Sequence, residues 1–167
     1  MNILPLLPHH WKSVKEIYEE GIATGNATFE SEAPTWDLWN TSHLPFARMI
    51  AADDKAPGQE ILGWAALSKV SDRCAYAGVA EVSVYVKSSA RGKGVGSSLL
   101  AALIKESEAN NIWTLTAGIF PENDSSVRLH EKSGFRILGI RERIGKMNGK
   151  WRNTLLLERR SQIAGID

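Results

Sequence analysis

The chain has 167 residues, with 20 Lys plus Arg against 19 Asp plus Glu and a formal net charge of +1. That length suits one domain, expected over 1–167, with a proper core. Apolar residues make up 43% and charged residues 23%, and no apolar run approaches the roughly 20 residues of a membrane helix, so a soluble globular protein is expected. The even charge balance gives no bulk field for nucleic acid or an anionic membrane, so any anion site must be local. The single Cys74 cannot form an internal disulfide, and MNILPLLPHHW lacks the basic start and cleavage site of a secretory signal, which together point to a reducing cytoplasm. With Cys74, the scattered His9, His10, His43 and His130 make no zinc-binding spacing, so no metal is expected.

In chain order, Trp11, Val14, Ile17, Tyr18 and Ile22 recur at helical spacing after Pro8, with Gly21 or Gly25 as the stop. A polar loop, 26–33, carries Phe29, and Pro34 at a first helical position precedes a short helix with Trp36, Leu38 and Trp39 as its apolar stripe. Residues 46–52 and 61–68 read as an antiparallel strand pair around a turn at 53–59. In AEVSVYV, 80–86, the valines 82, 84 and 86 alternate with Glu81, Ser83 and Tyr85, the period of a strand. A glycine-rich turn follows, and then Leu99, Leu100, Leu103 and Ile104 repeat at helical spacing until Asn110 and Asn111. Residues 113–119 predict a strand, Asn123 or Asp124 a helix cap, and Gly134 a left-handed helix end. Strands at 135–144 and 151–157 flank Asn148-Gly149, a type I′ hairpin signal. The sum is an α+β fold, a mixed sheet with helices inserted among its strands and parallel pairing only around the central crossover.

The most informative stretch is RGKGVGS, 91–97, between an alternating strand and an amphipathic helix. Gly92, Gly94 and Gly96 let backbone N–H groups converge, and the helix N-terminus adds partial positive charge, which favours a phosphate or pyrophosphate. Arg91 and Lys93 at the rim suit a ligand with several phosphates. A tight strand-to-helix turn alone would also use these glycines. Ser97 stands where both the Walker A pattern and the dinucleotide pattern need a glycine, which disfavours an ATPase and makes a Rossmann site a weak second.

RGKGVG after AEVSVYV resembles the acetyl-CoA motif of the GCN5-related N-acetyltransferases, whose fixed places are Gln or Arg, then Gly three residues on, then Gly or Ala. Arg91, Gly94 and Gly96 fill them. LHEKSGF, 129–135, is similar to a later segment of that family with His130 in place of a tyrosine, and Asn123 matches as well. NATF at 26–29, EVSVYV at 81–86, NDSSVRLHEKSGF at 123–135 and NGKW at 148–151 together resemble the phosphinothricin and methionine sulfoximine acetyltransferase group. The resemblance implies a mixed central sheet with splayed central strands, flanked by helices and ending in a β-hairpin.

It also implies that Val84, Tyr85, Val86, Arg91, Gly92, Lys93, Gly94, Val95, Gly96 and Ser97 hold acetyl-CoA, with Asn123 and Ser126 on the next helix. An extended pantetheine can pair with a splayed strand, leaving an N–H near Val86 for the thioester carbonyl. Amine acetylation needs a neutral nitrogen, so a carboxylate base is required, and the resemblance assigns it to Glu81. His130 falls where relatives protonate the departing thiolate. Phe29, Arg73, Tyr76, Glu81 and Ser83 are the implied acceptor contacts, with the Arg73 fork suited to a carboxylate. Direct transfer is favoured over a Cys74 intermediate. A homodimer is expected, with Trp36, Trp39 and Trp151 as candidate contact residues.

The expected activity is therefore transfer of acetyl to the α-amino group of a small amino acid or an analogue such as phosphinothricin, methionine sulfoximine or methionine sulfone. The competing readings are a non-catalytic acyl-CoA-binding sensor and an acetyltransferase of protein N-termini or polyamines.

Overall fold

The alternating segment around Glu81 becomes the strand on which the molecule is organised. In the computed structural model, which describes residues 1–53 and 58–166, seven strands form one sheet in the order β1-β2-β3-β4-β5-β7-β6. They are β1 (Asn2–Pro5), β2 (Met49–Asp53), β3 (Glu60–Lys69), β4 (Val79–Val86), β5 (Thr114–Ile119), β6 (Arg136–Met147) and β7 (Lys150–Arg160). The helices are α1 (Trp11–Ala23), α2 (Trp36–Ser42), α3 (Val95–Ala109) and α4 (Asp124–Lys132). Every strand pairing is antiparallel except β4 with β5, which α3 links as a crossover. This is the mixed α+β arrangement that the sequence predicts.

Two cores form because β4 and its neighbours present apolar side chains to both faces. On one face, Leu99, Leu100 and Leu103 of α3 pack with Ala65, Leu67, Val82 and Leu115. On the other, Val14 and Ile17 of α1 and Trp39 of α2 pack with Ile50, Trp64 and Ala66. The alternation of β4 assigns Val82, Val84 and Val86 to the first core and Tyr85 to the second. Trp39 is fully buried there, stacked on Trp36 and edge-on to Trp64, so it is core and not a subunit contact.

Several boundaries move for local reasons. Helix α1 runs through Gly21, and Gly25 at φ +70° is the left-handed residue beyond its end. Pro34 lies outside α2, whose N-cap is Thr35. Strand β2 starts at Met49 because Ala47, at φ +53°, cannot continue a strand. The short opening segment is a strand, β1, whose pairing with β2 supplies order that Pro5 at its end and Pro8 just beyond conceal. The expected turn at 53–59 falls largely on 54–57, outside the described residues. The Asn148-Gly149 turn carries two positive φ values, +50° and +77°, as a type I′ hairpin requires.

The feature that positions the site is where β4 and β5 part. Their pairing covers three residues and stops at Glu81 opposite Thr116, while β4 continues to Val86 along β3. The Lys87 N–H donates to the Leu62 carbonyl. In an antiparallel ladder the backbone groups of alternate residues point to opposite edges, so Val84 and Val86 aim theirs at the side that β5 has left. Among the described residues, no helix is long and apolar enough to cross a membrane.

Candidate active site

Two clefts meet in the gap between β4 and β5. The first, of about 810 Å³, is bounded by Val84 to Val86, the turn ahead of α3, and the start of α4. Gly92 (φ +72°) and Gly94 (φ +80°) are left-handed with open space where a side chain would stand. Gly94 is the N-cap of α3, so the turn aims the first-turn amides of Val95, Gly96 and Ser97 into the cleft mouth. Gly96 lines the cleft and also serves packing. A Cβ there would lie 3.1 Å from Leu129 Cδ2, so its bareness lets α3 pack against α4. Arg91 lines the cleft and Lys93 stands exposed at the tip of the turn, outside the lining.

Asn123 caps α4. Its Oδ1 accepts from the Ser126 N–H at 3.3 Å and from the Ser125 hydroxyl, while its Nδ2 donates to the Asn26 carbonyl at 3.1 Å. Asn123, Ser126, Ala27, Val84 and Tyr85 line both clefts and are the wall between them.

The second cleft, of about 760 Å³, holds Glu81, Ser83, Phe29 and His130. Glu81 remains open to water, but the cleft walls desolvate its carboxyl and raise its pKa above the ordinary value, with the positive charge of Arg141 pulling the other way. His130 is buried, edge-on to Phe135, with Nδ1 2.8 Å from the Ser126 carbonyl. A carbonyl only accepts, so Nδ1 carries the proton; burial lowers the ring's pKa, and the neutral ring then has a lone pair at Nε2. Tyr85 stacks on Trp64 and meets Tyr18 edge-on, and burial pushes its phenol far above the usual range, so it stays neutral. The whole is a polyanion-ready turn beside an open strand edge, with a carboxylate in the adjoining pocket. That is the layout needed to hold an acyl carrier and bring an acceptor to it.

Comparison with known proteins decides what this layout belongs to: residues 11–135 match the acetyltransferase (GNAT) family. The chain belongs to that family. It is 32% identical over 165 residues to a phosphinothricin N-acetyltransferase of Streptomyces coelicolor, covering 95% of each chain. It is 34% identical over 141 residues to an L-methionine sulfoximine/L-methionine sulfone acetyltransferase of Pseudomonas paraeruginosa, covering 81% of this chain and 80% of the other. A GNAT superfamily phosphinothricin acetyltransferase from Sinorhizobium meliloti, solved with acetyl-CoA, superposes with a TM-score of 0.88 at 27% identity, covering 99% of this chain and 91% of that one. The protein is thus a GNAT acetyltransferase with acetyl-CoA as cosubstrate.

Not every expected site residue of this GNAT chain is brought together. Arg73 and Tyr76 lie in an exposed turn before β4, with the guanidinium 5.9 Å from the tyrosine ring, and neither lines either cleft. Others belong to the site unannounced. Arg152 of β7 donates to the Gly25 carbonyl at 3.0 Å, to Asn26 Oδ1 at 2.8 Å and to Glu122 at 3.2 Å, and lies over Phe120. It thereby holds the Phe29 loop in place, with the Phe29 ring against bare Gly145. Tyr18, Thr28 and Thr154 line the acceptor cleft, and Arg128 and Lys132 of α4 line the cofactor cleft. Only the last pair had a legible signal, two cations four residues apart on a helix facing a glycine-rich turn.

Proposed function

We propose that this acetyltransferase moves acetyl from acetyl-CoA to the α-amino group of a small amino acid or analogue of the phosphinothricin, methionine sulfoximine or methionine sulfone type. The relatives' names support the acceptor class. The observation that carries the reading is Glu81, a carboxylate of raised pKa in the pocket that adjoins the cofactor cleft. Acetyl-CoA supplies an activated thioester carbonyl. The amides of Gly92 to Ser97, with Arg91 and Lys93, hold its diphosphate; Val84 and Val86 offer N–H groups to its pantetheine and to the carbonyl oxygen, and Asn123 and Ser126 close the wall.

In the proposed reaction Glu81 takes a proton from the acceptor ammonium, directly or through one water, and the freed nitrogen lone pair attacks the thioester carbon. The first proton passes from Glu81 to bulk water; the C–S bond then breaks, the nitrogen's second proton leaves to Glu81, and that proton is relayed through the site water to the thiolate, whose reference pKa is about 8.5. His130 serves in its neutral form, with Nε2 as an acceptor that orients the amine or that water, because the tautomer fixed by Ser126 has no Nε2 proton to give. Phe29 and Ser83 contact the acceptor. Arg73 and Tyr76 remain proposed acceptor contacts, although neither lines either cleft. We take the working form to be a cytoplasmic homodimer of one catalytic domain per chain. Ile140 and Trp151, each 59% exposed, are the proposed contact, since register puts both on the face turned away from Thr154.

A thiol-release screen tests the reading, with amino acids and their analogues, polyamines and a peptide N-terminus as acceptors, ranked by kcat/KM. Methionine sulfone, methionine sulfoximine or phosphinothricin should lead. A polyamine or peptide in first place overturns the acceptor class, and no release with any amine favours a non-catalytic sensor.

A further inference from the structure

The acceptor cleft has a deficit of charge for the substrate it is proposed to take. Its lining includes Glu30 and Glu81, and its two histidines, His43 and His130, are both pushed toward the neutral form by burial. Among the described residues that line it there is no lysine or arginine. An amino acid entering such a pocket brings its carboxylate next to Glu81, and like charges repel strongly where water is partly excluded. A cation has to reach in from the rim.

We propose that Arg141 of β6 is that cation and binds the acceptor's carboxylate; the assignment rests on the amino-acid reading of the function. The sheet register places it. Arg141 lies opposite Thr154 of β7, a residue of the cleft wall, and directly paired residues share a face. Two residues along β7, Leu156 lies opposite Gly118 of β5. On that same face Glu81 pairs in register with Thr116, and Glu81 Oε1 lies 3.9 Å from where a Cβ of Gly118 would stand. Glycine at 118 therefore puts no β5 side chain against the Glu81 carboxyl on that face. The Arg141 charge is also felt at the Glu81 carboxyl.

The other arginines of that face are committed: Arg136 pairs with Glu158, and Arg160 donates to the Trp113, Ser161 and Ala164 carbonyls. Arg152, opposite Gly145, is tied to Gly25, Asn26 and Glu122. The Arg141 side chain makes no hydrogen bond or ion pair among the described residues, so its planar fork is free to take a carboxylate in two bonds. An α-amino acid has its amine two bonds from its carboxyl carbon. A base and a cation on one face of the sheet thus receive the two ends of one molecule, the amine at Glu81 and the carboxylate at Arg141. Substrate binding then neutralises the charge that holds Glu81 down and makes it a better base when an amine is present.

The test is steady-state kinetics of wild type, Arg141→Gln, Arg141→Lys and Arg73→Gln with two acceptors, L-methionine sulfone and its carboxamide. Loss of a charged hydrogen-bonded pair should raise KM for the sulfone about tenfold or more in Arg141→Gln, while KM for the carboxamide stays within about twofold. Arg141→Lys should recover part of the loss. The acid limb of the Arg141→Gln profile should move to higher pH, a change that a merely structural defect would not produce. A wild type active on the sulfone with an unaltered ratio of the two KM values in Arg141→Gln overturns the Arg141 assignment alone, as does loss of discrimination confined to Arg73→Gln. A wild type inactive on both acceptors overturns the acceptor reading and this assignment with it.

Discussion

At the scale of single residues, chemistry is set by how far each group is withdrawn from water. Desolvation raises the pKa of Glu81, so the basic form that the reaction needs is lost at a higher pH than for a free carboxylate. The acid limb of kcat/KM should accordingly stand above the ordinary Glu value of about 4.3, and a profile flat to pH 4 would remove Glu81 from the role. His130 titrates the other way. Its lowered pKa keeps the ring neutral from below the ordinary histidine value upward, so no histidine-like inflection near pH 6.5 should vanish on His130→Gln. That variant should lose less than about tenfold in kcat, as expected for an orienting acceptor and not a proton donor. A larger loss, with an inflection that disappears, would restore His130 as the acid.

At the scale of elements, the turn ahead of α3 and the Phe29 loop are built differently and should fail differently. Gly94→Ala forces a side chain into left-handed backbone at the N-cap, a cost of about 1–2 kcal/mol, and should weaken acetyl-CoA binding in calorimetry. Gly96→Ala meets only the flexible end of Leu129 and should disturb binding less; the reverse order would contradict the turn geometry. Arg152→Ala removes the two bonds to Gly25 and Asn26 that hold the Phe29 loop, and the one to Glu122, at a cost of roughly 1–3 kcal/mol, and should lower Tm and raise KM for the acceptor together. The turn was legible because glycine spacing and helix periodicity are local signals, and β4, α3, α4 and the Asn148-Gly149 hairpin follow from the same kind of pattern. What sequence could not supply depended on register. Arg141 and Arg152 look like two charges in a basic hairpin, and only the pairing of β6 with β7 makes one free and the other a clasp. Arg73, beside a tyrosine and near β4 in sequence, looked central and lies outside the clefts of its own chain. Strand β1 is not legible in the sequence because it is four residues long, ends in Pro5 and takes its order from β2.

At the scale of the whole molecule, one splayed pair of strands organises everything else. Because β5 leaves β4 after Glu81, one cleft has an open strand edge on one side and adjoins a second that holds a carboxylate. The exposed apolar residues of β6 and β7 are the contact proposed for the dimer. Trp151→Asp combined with Ile140→Asp should shift the sedimentation mass from dimer to monomer, and a monomeric wild type would contradict the assembly. The most direct measurement of the central claim is the rate of L-methionine sulfone acetylation by wild type and Glu81→Gln, with acetyl-CoA affinity determined by calorimetry on the same two preparations. The expected result is a fall of about 10²–10⁴-fold in rate with acetyl-CoA affinity within about twofold of wild type. Equal rates in the two proteins, or no heat from acetyl-CoA in the wild type, would contradict it.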